Sequence, residues 1–233
     1  MNIQAASPYY RDSGRIPLAS RLSYTARKRV FALFMEVMKP SRDARVLDVG
    51  VTMDTDFRES NFFEQFYPYK EQIVCVGAEN GAHLEQQYPG IRFLQVVPGQ
   101  PLPFRDGQFD LVFSNAVVEH AGGKERQRAF ISEICRVGQR VFVATPNRWF
   151  PVEHHTGVPL LHYLPPGAYR QLLRGTPLRY WSYEEHLNLL TARSFRALFA
   201  DRYPLDVRRI GVGFGPFASN LVAFTVESAG ARR

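Results

Sequence analysis

Five short apolar runs, spaced by stretches with helical periodicity, constrain this chain more than any other feature. They fall at 45–49 (RVLDV), 73–78 (IVCVGA), 91–97 (IRFLQVV), 109–114 (FDLVFS) and 140–145 (RVFVAT). Helical patterns lie between them at 60–67, 82–88 and 124–137. A strand apolar on both faces must be covered on both faces, and amphipathic helices are the covers that crossover connections supply. Such crossovers are right-handed. The chain therefore predicts an α/β fold with a Rossmann-like, doubly wound sheet. Two further strands fit 205–212 and 219–226, joined by the short link GFGPFAS, and Thr191 is placed to cap a helix over 191–200. The expectation is seven strands, mostly parallel, with an antiparallel C-terminal hairpin strand at one edge.

A helix is also predicted over 21–38, with Leu22, Ala26, Val30, Leu33, Phe34 and Val37 on one face and the basic group Arg27, Lys28, Arg29 at its middle. Those three charges read first as a solvated face and second as a lid or anionic docking surface. Residues 1–40 then form an N-terminal basic helical extension or lid, and 41–233 the main domain. Between 146 and 190 the βα alternation breaks into proline, aromatics and histidine, which marks a substrate-side insertion.

The length, 233 residues, suits one α/β domain. Lys plus Arg number 29 against 22 Asp plus Glu, a formal charge of +7 that favours an anionic partner without choosing among substrate, membrane surface and nucleic acid. The two cysteines, Cys75 and Cys135, each sit in an apolar run and form no CxxC pair, so neither a disulfide framework nor a zinc site is expected. The first 20 residues have no apolar core, and no stretch reaches 18 apolar residues. A cytoplasmic location is expected, with peripheral membrane contact left open.

The turn after the first strand, RVLDVGVTMD, places Asp48 and Gly50 where a nucleotide-cofactor turn begins, but no glycine-rich loop follows. Glu79 comes about 30 residues later, at the end of the second strand, where a carboxylate can accept from both hydroxyls of a ribose. The stretch PLPFRDGQFDLVFSNAVVEHAGG, 101–123, then carries Leu102-Pro103-Phe104, Asp106-Gly107, Phe109-Asp110-Leu111-Val112 and Glu119-His120 in order. In this it resembles the class I S-adenosylmethionine-dependent methyltransferases, particularly the group with the ubiquinone and menaquinone enzymes, over residues 40–147.

The resemblance implies S-adenosylmethionine as cofactor. It places Asp48 and Gly50 near the amino-acid part, Glu79 on the ribose and Asn80 beside the adenine. Gly99 and Gln100 would meet the adenine edge, and Ser114 and Asn115 the methionine portion. The chain departs from the family in two places. Val51, Thr52 and Met53 fill a stretch that normally holds two more glycines, and Pro98 stands where an acidic residue is common. Thr52 could offer a hydroxyl where a glycine would expose an amide.

The loop after the fifth strand commonly borders the acceptor in this fold. Here it holds Arg148, Trp149, Phe150, Glu153, His154, His155 and His162. Arg148, Trp149 and His154 are the expected acceptor-binding residues, and His155 and His120 the candidate bases. The alternatives are that the loop histidines only satisfy backbone groups and that Glu119-His120 is architectural, as the resemblance implies. A metal ion on Glu153, His154, His155 and His162 is not expected, because adjacent residues rarely point at one ion. The leading function is a methyltransferase for a small-molecule, glycan or lipid-linked acceptor with an apolar body and an acidic group. A catalytically inactive scaffold of the same fold and a nucleic-acid methyltransferase are the alternatives. The fourth strand ends in Ser-Asn-Ala-Val and not in an Asn-Pro-Pro-Tyr-type motif, and the basic residues are scattered, which makes nucleic acid the weaker reading.

Overall fold

The computed structural model describes residues 17–54, 59–199 and 204–226. Residues 1–16, the first part of the expected N-terminal extension, lie outside them. Seven strands form one sheet: β1 (Val46–Val49), β2 (Ile73–Gly77), β3 (Arg92–Gln95), β4 (Phe109–Asn115), β5 (Gly138–Pro146), β6 (Leu205–Ile210) and β7 (Asn220–Thr225). Their order is β3-β2-β1-β4-β5-β7-β6. Strands β1 to β5 pair in parallel, and β7 runs antiparallel to both β5 and β6. The expected antiparallel hairpin is thus at one edge, with the antiparallel strand β7 as its inner member. Strand order reverses between β1 and β4, so a crevice opens there beyond the strands' carboxyl ends.

The helices are α1 (Pro17–Met38), α2 (Phe62–Phe66), α3 (His83–Gln87), α4 (Lys124–Val137), α5 (Pro166–Arg174) and α6 (Ala192–Arg196). One face of the sheet is covered by α1 and α2. Val30, Leu33, Phe34 and Met38 are buried there against Phe62, Phe63, Phe113 and Phe142. The aromatic rings meet edge-on or stacked, Phe34 lying 5.1 Å from Phe63 and Phe63 4.3 Å from Phe113. The other face is covered by α4 and α6, through Ile131, Ile134, Val137 and Phe195. Thr191 caps α6 through a reciprocal box with Ser194.

From Ala26 to Met38 α1 is a covering layer of the sheet, packed into the same core as the strands beyond residue 40. Two of its basic residues also tie it to neighbouring loops: Arg27 donates to the Glu59 carbonyl and Arg29 to that of Gly211. The segment after β5 does form only short helices, and it builds a satellite core of Tyr169, Leu173, Trp181 and Leu187.

Candidate active site

The turn after β1 is held by the sheet itself. The backbone N–H groups of Gly50 and Val51 both donate to the Val76 carbonyl, at 2.8 and 3.2 Å. Gly50 has φ +108, a conformation that side chains disfavour. A Cβ there would lie 2.1 Å from Cγ2 of Val117, so the close neighbour is the segment after β4. The glycine-poor stretch that follows is shaped by a side chain. Asn61, itself left-handed at φ 49, accepts from Thr52 N at 3.0 Å and donates to Thr52 O at 2.8 Å. The Thr52 hydroxyl accepts from Asp54 N at 3.2 Å. A paired amide thus fixes a loop that glycines shape in the resembling family.

Asp48 is buried beneath this turn, on the face covered by α2, and its partner is Glu64. Burial, and then the neighbouring Glu64 carboxyl, push Asp48 well up from the usual carboxylate range, and both Glu64 carboxyl oxygens are buried without a hydrogen-bond partner. Burial likewise pushes Glu64 up to about 7. Sequence reasoning passed over Glu64, whose signal was a lone carboxylate inside the aromatic run FFEQF.

The other expected cofactor residues line the same end of the sheet. Glu79 is half-buried two residues past β2, and Asn80 is exposed beside it, its side chain turned to Ala82 N. Gly99 and Gln100 are exposed beyond β3. Ser114 is buried, and its hydroxyl donates to Val49 O at 2.8 Å, tying β4 to β1 under the turn. Asn115, one residue on, presents a buried side-chain oxygen with no hydrogen-bond partner. An orphaned acceptor at the switch point, a turn with a positive-φ glycine and a carboxylate past β2 fit a ribonucleoside cofactor that carries a cationic amino-acid arm.

The expected acceptor residues gather at the end of β4, the end of β5 and the loop after it. Glu119 and His120 lie in a single short turn, Val118–His120, and α4 begins only at Lys124. Glu119 Oε2 accepts from the Thr145 hydroxyl at 2.9 Å, and its backbone carbonyl accepts from Asn188 N. Burial pushes the Glu119 carboxyl up to about 7. His120 Nδ1 lies 2.6 Å from the His186 carbonyl. Burial, and then the neighbouring His155, push it down to about 3, so it is neutral at physiological pH.

The loop histidines separate into three environments. His154 is exposed. His162 is buried, with Nε2 2.8 Å from the Phe150 carbonyl. His155 packs between His120 and Trp181, each ring 4.8 Å away, and its Nδ1 is 2.7 Å from Glu153 Oε1. The backbone N–H groups of His155 and Thr156 also donate to the buried Glu153 carboxylate. Burial opposes that charge, but His155 and those N–H groups overcome it and hold Glu153 at about 2.

Farther along, Arg148 and Arg170 border a recess of about 20 Å³, the size of a water, with His162 and Tyr169. Arg148 Nη2 donates to Leu164 O, while its Nε is buried without a partner. Burial, and then Arg170, lower the Arg148 pKa. Trp149 is partly exposed beside the Arg148 guanidinium.

This strand order, with its switch point between β1 and β4, is that of a Rossmann-like domain. Residues 60–140 match the family model described as a methyltransferase domain. The fold is shared with the PH0226 protein from Pyrococcus horikoshii, at 16% identity and TM-score 0.56, covering 95% of this chain and 97% of that one. It is shared with a SAM-dependent methyltransferase from Thermotoga maritima, at 14% identity and TM-score 0.56, covering 90% and 92%. A third is magnesium protoporphyrin IX methyltransferase from Synechocystis with bound SAH, at 14% identity and TM-score 0.55, covering 91% and 86%. No curated protein sequence matches. The family-model match over residues 60–140 and the shared fold support a class I S-adenosylmethionine-dependent methyltransferase, with S-adenosylmethionine as the cofactor they indicate.

Proposed function

We propose that the enzyme methylates a small-molecule or lipid-linked acceptor that joins an apolar body to an acidic group. The observation that carries this reading is the pair Arg148 and Arg170 at one recess, with a buried Arg148 Nε lacking a partner. Arg170 already faces Glu184 at 3.6 Å, so the group left to satisfy is Arg148 Nε, which an acceptor carboxylate or phosphate would engage. Tyr169, Leu187 and Leu189 supply the apolar part of that recess.

S-adenosylmethionine supplies an already electrophilic methyl group, so this chain's residues have mainly to bind, orient and exclude water. In this reading Glu79 holds the ribose, while Asp48, Gly50, Thr52, Ser114 and Asn115 shape the site of the amino-acid arm. Asn80, Gly99 and Gln100 border the adenine. His155, oriented by Glu153, is the candidate base for an acceptor hydroxyl while its other ring nitrogen carries no ligand. His120, neutral and held by His186 O, lines the same wall. Among the described residues no helix is long and apolar enough to cross a membrane. A lipid-linked acceptor would therefore be met at a surface, where the net positive charge assists.

Two measurements test this. Replacing Glu79 by Ala should weaken S-adenosylmethionine binding by about 10- to 100-fold in calorimetry, the loss of charge-assisted bonds to a diol. Unchanged affinity would remove Glu79 from the site. Replacing Arg148 by Ala should raise KM for acidic acceptors by about 10-fold or more, with cofactor affinity unchanged. A panel in which neutral acceptors turn over as well as their carboxylate or phosphate analogues would overturn the acidic-acceptor reading.

A further inference from the structure

The side chains of Glu119, His120 and His155 converge from two separate segments. Glu119 and His120 follow β4, and His155 comes from the loop after β5. One ligand-type atom from each lies within 4.8 Å of the other two. We propose that these three residues bind a divalent transition-metal ion of the zinc class at the carboxyl end of β4 and β5.

What distinguishes this cluster from a packed pair of histidines is how each member is held from behind. His120 turns Nδ1 to the His186 carbonyl at 2.6 Å, and His155 turns Nδ1 to the Glu153 carboxylate at 2.7 Å. Metal-binding histidines are oriented in this way: the other ring nitrogen donates to a carbonyl or carboxylate, which fixes the tautomer and turns a lone pair toward the ion. Glu119 repeats the pattern with oxygens. Its Oε2 is engaged by the Thr145 hydroxyl, and its Oε1 is buried without a hydrogen bond, 3.9 Å from His120 Nε2. An orphaned buried carboxylate oxygen facing imidazole nitrogen is costly unless a proton or a metal cation sits between them, and here a third ligand atom, from His155, converges on the same point.

The donor set selects the ion. Two imidazole nitrogens and one carboxylate oxygen suit zinc and its neighbours, whereas calcium and magnesium favour oxygen alone. Tetrahedral zinc with bonds of about 2.1 Å needs ligand atoms about 3.4 Å apart. Small side-chain rotations close the gap from the separations present. Three protein ligands leave one position for water or an oxygen of the acceptor, the arrangement of catalytic zinc sites. The set differs from the one weighed on sequence: His154 and His162 are not members, and Glu153 stands behind His155.

The test uses the full chain, stripped with chelator and titrated with Zn²⁺ by calorimetry and with Co²⁺ by visible absorption. One equivalent should bind with Kd of about 1 µM or tighter, and Co²⁺ should show ligand-field bands of a four- or five-coordinate nitrogen and oxygen site. Glu119→Gln and His155→Ala should each weaken binding about 100-fold, and His154→Ala should leave it unchanged. Glu153→Gln, which removes no ligand, should weaken it about 10-fold or more by loosening His155. Melting curves establish that each variant folds, and Glu153→Gln and Thr145→Val carry the test should a ligand variant not fold. Absence of saturable binding would overturn the proposal. So would binding that survives unchanged in folded Glu119→Gln or depends on His154. None of these readouts requires turnover, so they stand apart from the acceptor assignment.

Discussion

Gly50→Val should abolish detectable S-adenosylmethionine binding and lower the melting temperature together. Two independent costs meet at this residue. A β-branched residue at φ +108 is strained by about 1–3 kcal/mol. Its Cβ would also sit 2.1 Å from Cγ2 of Val117, and overpacking of that kind costs about 1–3 kcal/mol more. Relief by backbone movement is blocked, because Gly50 N and Val51 N are both bonded to Val76 O. The turn must therefore shift against β2 or push the segment after β4 away, and either movement opens the switch point between β1 and β4. A second variant separates the two costs. Gly50→Ala combined with Val117→Ala removes most of the overlap but not the φ strain, so it should recover part of the stability of Gly50→Ala. Calorimetry with S-adenosylmethionine and thermal melts read both effects. A Gly50→Val protein that melts and binds as the parent does would show that this is not a cofactor turn.

The inner strands β1, β2, β4 and β5 were legible because they are buried on both faces. Runs such as 73–78 and 109–114 carry their own boundaries, and β2 and β4 fall within a residue of them. The places of Gly50 and Glu79 were legible for a related reason: both sit at fixed offsets from strand ends. The surroundings of Glu119 and His155 were not. Glu119 and His155 are 36 residues apart, and nothing local in EHHTG says which of two adjacent histidines turns inward. That choice is made by the Glu153 carboxylate, which gathers the His155 ring and two backbone N–H groups onto itself. Asn61 was equally opaque, since its amide substitutes for the missing glycines only once the chain returns past Thr52.

Glu64→Gln should make the protein more stable than the parent at alkaline pH and about equally stable below pH 5. Asp48 and Glu64 meet at full burial, beneath the cofactor turn. Burial pushes Glu64 up to about 7 and raises Asp48 as well, so the folded state holds protons on this pair that the unfolded chain releases between about pH 4 and 5. Groups raised in this direction contribute stability that is complete below the unfolded pKa and is lost as pH rises through the folded one. Each proton so held tilts stability by about 1.4 kcal/mol per pH unit in that interval. Between pH 5 and 8 the parent should lose about 3 kcal/mol relative to a neutral amide at position 64. The charged groups facing the pair do not cancel this. Lys70 donates from its Nζ to the Glu64 carbonyl and only partly offsets the charge, and Cys75 is held as a neutral thiol by burial. Other groups titrate in the same range, Glu119 rising with burial and His120 falling, but they are common to both proteins and drop out of the difference. Denaturant unfolding of parent and variant at pH 5, 6.5 and 8 measures it. Parallel curves across that range would mean that Asp48 and Glu64 share no proton, and the buried pair would need another counter-charge.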